Sequence, residues 1–406
     1  MRNRAPAIGF ILVTLFVDVL GIGLIIPVLP KLVETFKEGN VSAAAGTLGL
    51  LFSLYSLMQF LCAPVLGSLS DRFGRRPVLL GSLFGAGLDY LLLAWAPSLS
   101  WFWLGRLVAG ITGASFSTAI AYVADVSPPE KRAQSFGLIG AAFGFGFIAG
   151  PAVGGLLGDI SLRLPFLAAA GLALLNWCYG LFVLPESLSD EHRRPFSWAR
   201  ANPVGSLLAL KTYPVVLGLT GTLFLANLAQ NSLQSTWVLY TGYRYQWTAT
   251  QTGVSLAVVG LMAALVQGGL VRVIVPKLGE RKALIVGLSI GAANMLGYGL
   301  ATKGWMIYVI LVVGSIGAIG GPAVQALISR SVPPNEQGSV QGALSSLASL
   351  AGIMGPPVAT TLFGYFIGST APWRVPGAAF FLASLLLLAG LGMALWSFRR
   401  GQGRLG

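Results

Sequence analysis

Two carboxylates stand where carboxylates are expensive. Asp18 follows Phe16-Val17 deep in one apolar run, and Asp89 lies in another, within Gly85-Ala86-Gly87-Leu88-Asp89-Tyr90. The other eleven acids fall in polar stretches or near the ends of apolar runs. An apolar medium disfavours the charged form of a carboxylic acid, so a carboxyl held there can load and release a proton near neutral pH. That is the chemistry of a proton-coupled carrier. The plainer alternative is a helix-packing acid satisfied by a neighbouring donor. Arg106 opens a third run, Leu104-Gly105-Arg106-Leu107-Val108-Ala109-Gly110-Ile111-Thr112-Gly113, and the spacing of 106, 110, 113 and 117 puts Arg106, Gly110, Gly113 and Ser117 on one helical face. A charge near the centre of a bilayer costs about 2.5–3.5 kcal/mol or more. Arg106 is expected either to face a cavity, with a place in the proton-coupling group, or to snorkel from the end of its span.

The apolar runs of the C-terminal half offer amides and no acid. Asn227, Gln230, Asn231 and Gln234 follow i, i+3, i+4, i+7 and form one polar stripe, as expected of a helix lining a wet cavity. Gln325 and Gln59 are expected to join that substrate cavity; hydrogen bonding between helices is the plainer reading. Two further stretches suit gating. Gly67-Ser68-Leu69-Ser70-Asp71-Arg72-Phe73-Gly74-Arg75-Arg76 joins two apolar runs. An anchor on anionic lipid would need its basic residues, with Gly74 for the turn, but has no use for Asp71. In Gly146, Gly150, Gly154 and Gly158 a glycine recurs every fourth residue, a ridge that lets another helix approach closely, and Pro151 removes one helical hydrogen bond and permits a bend.

The elements that must position these residues are membrane helices. Hydrophobic residues make 55% of the 406, charged residues 10%, and mean hydropathy is +0.77, so water is not the solvent for most of this surface. A span needs about 20 apolar residues. Spans are expected at 7–29, 44–69, 77–96, 99–125, 133–158 and 164–184, then at 213–240, 250–275, 281–301, 304–329, 338–368 and 372–398. Open sheets are excluded because lipid leaves backbone groups unsatisfied, and the runs are too long for barrel strands. The N-terminal run behind Arg2 and Arg4 resembles a signal peptide without a convincing cleavage site and reads as an uncleaved first span. The net charge of +13 is then a matter of orientation. With the N-terminus inside, eighteen Lys and Arg fall on the cytoplasmic side and six outside, which places both termini in the cytoplasm.

The chain also repeats itself at an offset of 205. Arg72, Gly74 and Arg76 fall on Lys277, Gly279 and Arg281; Pro128-Pro129 falls on Pro333-Pro334; Gly137 falls on Gly342; Gly150-Pro151 falls on Gly355-Pro356. On the same offset Asp18 lands on Leu223 and Asp89 on Asn294, so proton handling is expected in the first half. An N-terminal six-helix half over 1–184, a cytoplasmic linker over 185–212 with a short surface helix at 206–211, and a C-terminal half over 213–406 follow. Repeated halves suit secondary transporters, with substrate bound near the midplane between them. Cys62 and Cys178 lie in apolar runs and read as small buried hydrophobes; His192 reads as a solvated loop residue.

With the twelve spans and the repeat, the segment from Gly67 to Arg76 resembles the loop signature of the major facilitator superfamily. That resemblance implies an all-α membrane fold of two pseudo-symmetric six-helix halves, and a latch built from Gly67, Asp71, Arg72, Gly74, Arg75 and Arg76 that holds one access state. The Gly150-Pro151 region is similar to the motif of the superfamily's antiporters, which implies export and adds Gly146, Gly150, Pro151 and Gly154 to the gating set. Over nearly its full length the chain resembles the bacterial tetracycline/proton antiporters, closest at Asp18 to Pro30, Tyr55 to Gln59, Asp71 to Pro77, Leu88 to Ala94 and Gly105-Arg106. The resemblance implies roles for Asp18, Asp89, Asn227, Asn231 and Gln325. Those antiporters also carry an Asp on span 9 and a His on span 8, where this chain has about Gly291 and Ala263; tetracycline and a drug of another specificity both fit.

The expected activity is proton-coupled drug efflux by alternating access, in a multi-pass protein of the bacterial inner membrane. Its expected partners are a small-molecule drug, protons and membrane lipid, with no nucleic acid, metal or cofactor, and a monomer is expected to suffice. An importer or facilitator of a small nutrient is the alternative, against which the Gly150-Pro151 region argues. A membrane enzyme or receptor has no polar catalytic cluster or soluble domain to support it.

Overall fold

A computed structural model describes residues 8–113, 115–128, 131–193, 195–196, 214–332 and 337–402. The helix expected at 206–211, the prolines Pro129, Pro333 and Pro334, and the side chain of His192 lie outside the described residues. Those residues form twelve long helical segments. In the first half these are α1 (Ile8–Phe36), α2 (Val41–Phe73), α3 (Arg75–Ala94), α4 (Ser100–Val126), α5 (Arg132–Ile160) and α6 (Leu164–Val183). In the second half they are α7 (Pro214–Tyr245), α8 (Ala249–Leu278), α9 (Glu280–Leu300), α10 (Gly304–Arg330), α11 (Gln337–Ile367) and α12 (Ala378–Gln402).

Eleven segments among the described residues are long and apolar enough to cross a membrane. The remaining one, α7, has 32 residues and the length to span. Asn227, Gln230, Asn231 and Gln234 lower its hydropathy. Several helices are interrupted. The first is two pieces, Ile8–Ile25 and Leu29–Phe36; α4 is Ser100–Thr112 and Ser115–Val126. A π-helical turn at Val266–Leu270 in α8 packs on a 3-10 turn at Ser315–Ile319 in α10. Irregular turns of this kind inside helices often mark hinges or functional positions.

The chain divides into two compact units. One holds the described residues of Met1–Phe36, Leu54–Asn202 and Thr248–Gly260; the other holds those of Lys37–Ser53, Pro203–Trp247 and Leu261–Gly406. In the first unit Ile11, Leu15, Leu79, Ala119, Tyr122, Val123, Ile139 and Leu184 form a buried apolar cluster. Asn176 of α6 donates to the Thr14 carbonyl of α1 at 2.8 Å. In the second, Trp237, Tyr240, Tyr298 and Phe380 pack edge to face, and the Tyr240 hydroxyl donates to the Tyr298 carbonyl at 2.7 Å. Lipid tails give no hydrophobic drive between helices, so close packing and such hydrogen bonds hold the segments together.

The glycine ridge of α5 meets α1. A Cβ on Gly150 would lie 2.7 Å from the Gly23 Cα, and one on Gly146 would come 3.0 Å from Val19. Gly154 and Gly158 face Leu24 and Val28. Backbone therefore touches backbone at Gly150 and Gly154, and the Val19 and Val28 side chains fill the space above Gly146 and Gly158, a close approach only glycine allows.

Candidate functional site

Asp89 and Arg106 meet inside the first unit. Arg106 Nη2 donates to Asp89 Oδ2 at 3.3 Å, with the aspartate side chain 1% exposed and the arginine side chain 12%. Room for the pair comes from Gly105, where a Cβ would lie 2.6 Å from Asp89 Oδ1. The pair is incompletely spent: Asp89 Oδ1 and Arg106 Nε are buried without a hydrogen-bond partner among the described residues. A buried ion pair stabilises only when its remaining lone pairs and protons are satisfied. This one keeps an acceptor and a donor for something else.

Arg106, Gly110 and Gly113 face α2, as their spacing predicts. The guanidinium lies 5.9 Å from the centroid of the Tyr55 ring, within cation–π range. Gly110 sits against the Tyr55 carbonyl, and the Gly113 carbonyl accepts from Gln59 Nε2 at 3.2 Å. Gln59 also donates to the Tyr55 hydroxyl at 3.2 Å. The Gln59 amide, expected in the drug cavity, is thus a neighbour of the Asp89–Arg106 pair. Asp18 is buried on α1, close enough to interact electrostatically with Tyr55 and Tyr90. The Tyr90 ring in turn packs on Gly21. Tyr55 and Tyr90 were not among the expected site residues; the available signal was that Tyr90 follows Asp89 and that Tyr55 opens the quoted Tyr55 to Gln59 stretch.

The α7 stripe forms one face in the second unit. Gln230 and Gln234 are exposed. Asn227 and Asn231 are half-buried, and each donates back one turn, to the Leu223 carbonyl at 2.8 Å and the Asn227 carbonyl at 2.9 Å. Both side-chain oxygens are left over for other donors or water. Gln325 is exposed on α10, with Gln341 of α11 donating to it at 3.5 Å. Gly291 packs against Leu387, and Ala263 is flanked by Met262 and Ala264, so neither place carries a group that titrates.

The loop between α2 and α3 is a compact charge cluster. Gly74 has φ +102°, and its missing Cβ leaves room for the Glu186 carboxylate. Glu186 accepts from the backbone N–H of Arg75 at 2.8 Å and of Arg76 at 3.2 Å, capping α3 from beyond the end of α6. The Arg75 guanidinium bridges Asp71 and Asp125, the latter at 3.1 Å, and also donates to Ser70 Oγ at 2.7 Å. Its donor fork therefore spans two acids instead of gripping one. Arg76 donates to the Leu181 carbonyl. Arg72 lies over the Phe73 ring, exposed, and Gly67 has open space around it. Asp125 and Glu186 complete the cluster from two distant stretches of chain, which spacing within the loop could not reveal.

The family model for the Major Facilitator Superfamily matches residues 11–356 and 277–404. The chain belongs to this superfamily. It is a multi-pass membrane transporter, not an enzyme. It is similar to the class C tetracycline resistance protein of Escherichia coli, at 45% identity over 93% of this chain and 95% of that protein. The class G protein of Vibrio anguillarum is 38% identical over 96% and 98%. Among solved structures, the human organic anion transporter MFSD10 (TETRAN) matches with a TM-score of 0.71 and 27% identity, over 95% of this chain and 98% of that one. The nucleoside transporter NupG, in its D323A mutant, matches with a TM-score of 0.79 over 95% and 99%; at 13% identity this superfamily likeness shows the fold alone.

Proposed function

We propose that this superfamily member exports tetracycline-type drugs in exchange for protons, by alternating access across the bacterial inner membrane. The observation that carries the exchange is the buried, half-satisfied Asp89–Arg106 pair. Protonation of Asp89 would loosen its hold on Arg106, and deprotonation would restore it. Asp18, Tyr55, Tyr90 and Gln59 surround the same polar centre, so a charge change on one acid is felt by its neighbours. The exposed face of α7, with Gln230 and Gln234 beside Asn227 and Asn231, offers amide donors and acceptors for a polar, rigid drug. Gln325 extends this surface on α10. What supports tetracycline is the likeness to tetracycline resistance proteins. What supports a different drug is Gly291 and Ala263, which leave the apolar spans of the second half without an acid or histidine. The cluster around Arg75 serves as the cytoplasmic latch, and the α1–α5 glycine contact as a rigid hinge plate. The protein works as a monomer with both termini in the cytoplasm.

Everted membrane vesicles test this reading. Acidified inside, they should accumulate tetracycline, and an uncoupler should abolish the accumulation. A susceptibility panel in an efflux-deficient bacterial host, with and without the protein, identifies the drug class. Accumulation undiminished after the gradient has fully collapsed would rule out proton exchange.

A further inference from the structure

The start of α8 is held by a side chain from α5. The Asp159 carboxylate, near the end of α5, accepts from the backbone N–H of Ala249 at 2.8 Å and of Thr250 at 3.2 Å. The first turn of any helix leaves such N–H groups without partners. Here α8 has a local box of its own: Thr248 Oγ1 accepts from the Gln251 N–H at 3.3 Å, and Gln251 Oε1 accepts from the Thr248 N–H at 3.0 Å. The Thr252 N–H already bonds to the Thr248 carbonyl at 3.1 Å. Local sequence thus satisfies residues 248, 251 and 252 and leaves 249 and 250 to Asp159. Its negative charge also faces the positive end of the helix dipole. Lys31 of α1 adds a cationic field at the same carboxylate.

Below this cap the two backbones run in contact. Gly155 lies against Ala249 and Thr250, and Gly253 lies against the Pro151 carbonyl. At the repeat offset of 205, α5 maps onto α11 and α2 onto α8, and the mapped pair makes a matching contact. Gly49 of α2 lies against Pro356 and Pro357 of α11, and Ser42 Oγ donates to the Gly364 carbonyl at 2.7 Å. Gly364 is the residue onto which Asp159 maps. One contact is therefore clasped by a carboxylate on two helix-end donors, and its counterpart by neutral hydroxyls, Ser42 at the end and Ser53, which donates to the Ile353 carbonyl at 2.7 Å, further in. Each joins a helix of one repeat to a helix of the other, at the ends the charge bias places outside.

We infer that Asp159 is the positioning residue that latches the outer ends of α5 and α8 together, and that this cap must break each time the transporter opens outward. The inference rests on alternating access and is independent of which drug is carried. Water takes over the two donors when the helices part, so the latch is reversible and weak enough to cycle.

The test uses the full-length chain with Cys62 and Cys178 replaced by Ser and a reporter cysteine in place of Thr252, a side chain wholly buried here. Right-side-out vesicles are labelled with a membrane-impermeant maleimide, and the rate is read per unit of inserted protein. Asp159→Ala should speed labelling about fivefold, the loss expected of a helix cap. Asp159→Asn should fall between that and the parent, and Asp159→Glu should return toward it. Parent-like labelling in both Asp159→Ala and Asp159→Asn would overturn the inference. So would an equal acceleration by Gln251→Ala, which disturbs only the local box and would show fraying of α8 instead of an unlatched pair. Because the readout is thiol access, a wrong drug assignment leaves it unaffected.

Discussion

The two halves carry the same ion pair with its charges exchanged. At the repeat offset, Arg75 maps onto Glu280 and Asp125 onto Arg330. Arg75 pairs with Asp125 at 3.1 Å in the first half, and Arg330 pairs with Glu280 at 2.9 Å in the second. Both follow a glycine of positive φ, Gly74 at +102° and Gly279 at +75°. The surroundings differ. Gly74 is filled by Glu186 and Arg75 also reaches Asp71, whereas Gly279 has open space and the Arg330 side chain is 76% exposed. The same split recurs in the helices. Asp89 leans on Gly105 and meets Arg106, while its counterpart Asn294 leans on Gly314 and has a side-chain oxygen without a bonded partner among the described residues. Pseudo-symmetry preserves the geometry of a contact, and the residues filling it decide whether a half is charged or neutral.

Removing the acids should break this contrast most severely. Asp89→Asn leaves Arg106 without its charge partner, and breaking a buried pair costs about 3–5 kcal/mol. We expect uphill efflux and transport-linked proton release, followed with a pH dye in vesicles, to be lost. Asp89→Asn made together with Arg106→Gln should recover insertion but not coupling. Asp18→Asn should likewise lose uphill efflux while retaining downhill exchange. Normal proton release from an Asp18→Asn, Asp89→Asn double variant would end the proposed division of labour.

Next in size are the two glycines. Gly105→Ala and Gly314→Ala each press a methyl group onto the neighbouring polar side chain, and overpacking costs about 1–3 kcal/mol. Both should lower the Tm of the detergent-solubilised protein. Only Gly105→Ala should also uncouple proton release from drug movement, because only its neighbour is an acid. Equal uncoupling by Gly314→Ala would give the second half a share in proton handling.

A smaller difference is expected at the loops. Arg75→Lys keeps the charge but loses the planar fork that reaches Asp71, Asp125 and Ser70 together, so transport should fall several-fold. Glu280→Gln removes a pair whose arginine is mostly in water, worth about 0–1 kcal/mol, and transport should stay near that of the parent. Smallest of all, Gln230→Ala or Gln234→Ala should shift the KM for drug by a few-fold with proton release per drug unchanged. A change in that ratio would move the α7 stripe into the coupling machinery.

Much of this was legible in the sequence because a membrane imposes long apolar runs and makes each charge within them conspicuous. Asp18, Asp89 and Arg106 stood out for that reason, and the first two steps of the spacing after Arg106, 4 and 3, turned Gly110 and Gly113 toward one neighbour. The glycine ridge of α5 was legible as a close contact, but its partner α1 was not, since a ridge says nothing about what fills it. The α7 stripe was plain from periodicity, while the inward turn of Asn227 and Asn231 onto their own helix depends on rotamers. Gln59 was grouped with the amides by residue type, and its bonds to Tyr55 and Gly113 put it beside the acids.

By itself the sequence determined a helical membrane protein of two related halves, the residues that would be costly in lipid, and the asymmetry of acids in one half and amides in the other. These follow from composition, periodicity and a constant offset, all of which are one-dimensional. Tertiary structure alone decided which groups meet. Asp89 finds Arg106 from 17 residues away, Arg75 finds Asp125 from 50, and Asp159 finds the start of α8 from 90. A polar group in a low-dielectric interior must be satisfied by whatever the packing of helices brings within about 3 Å, and that choice is made by the fold.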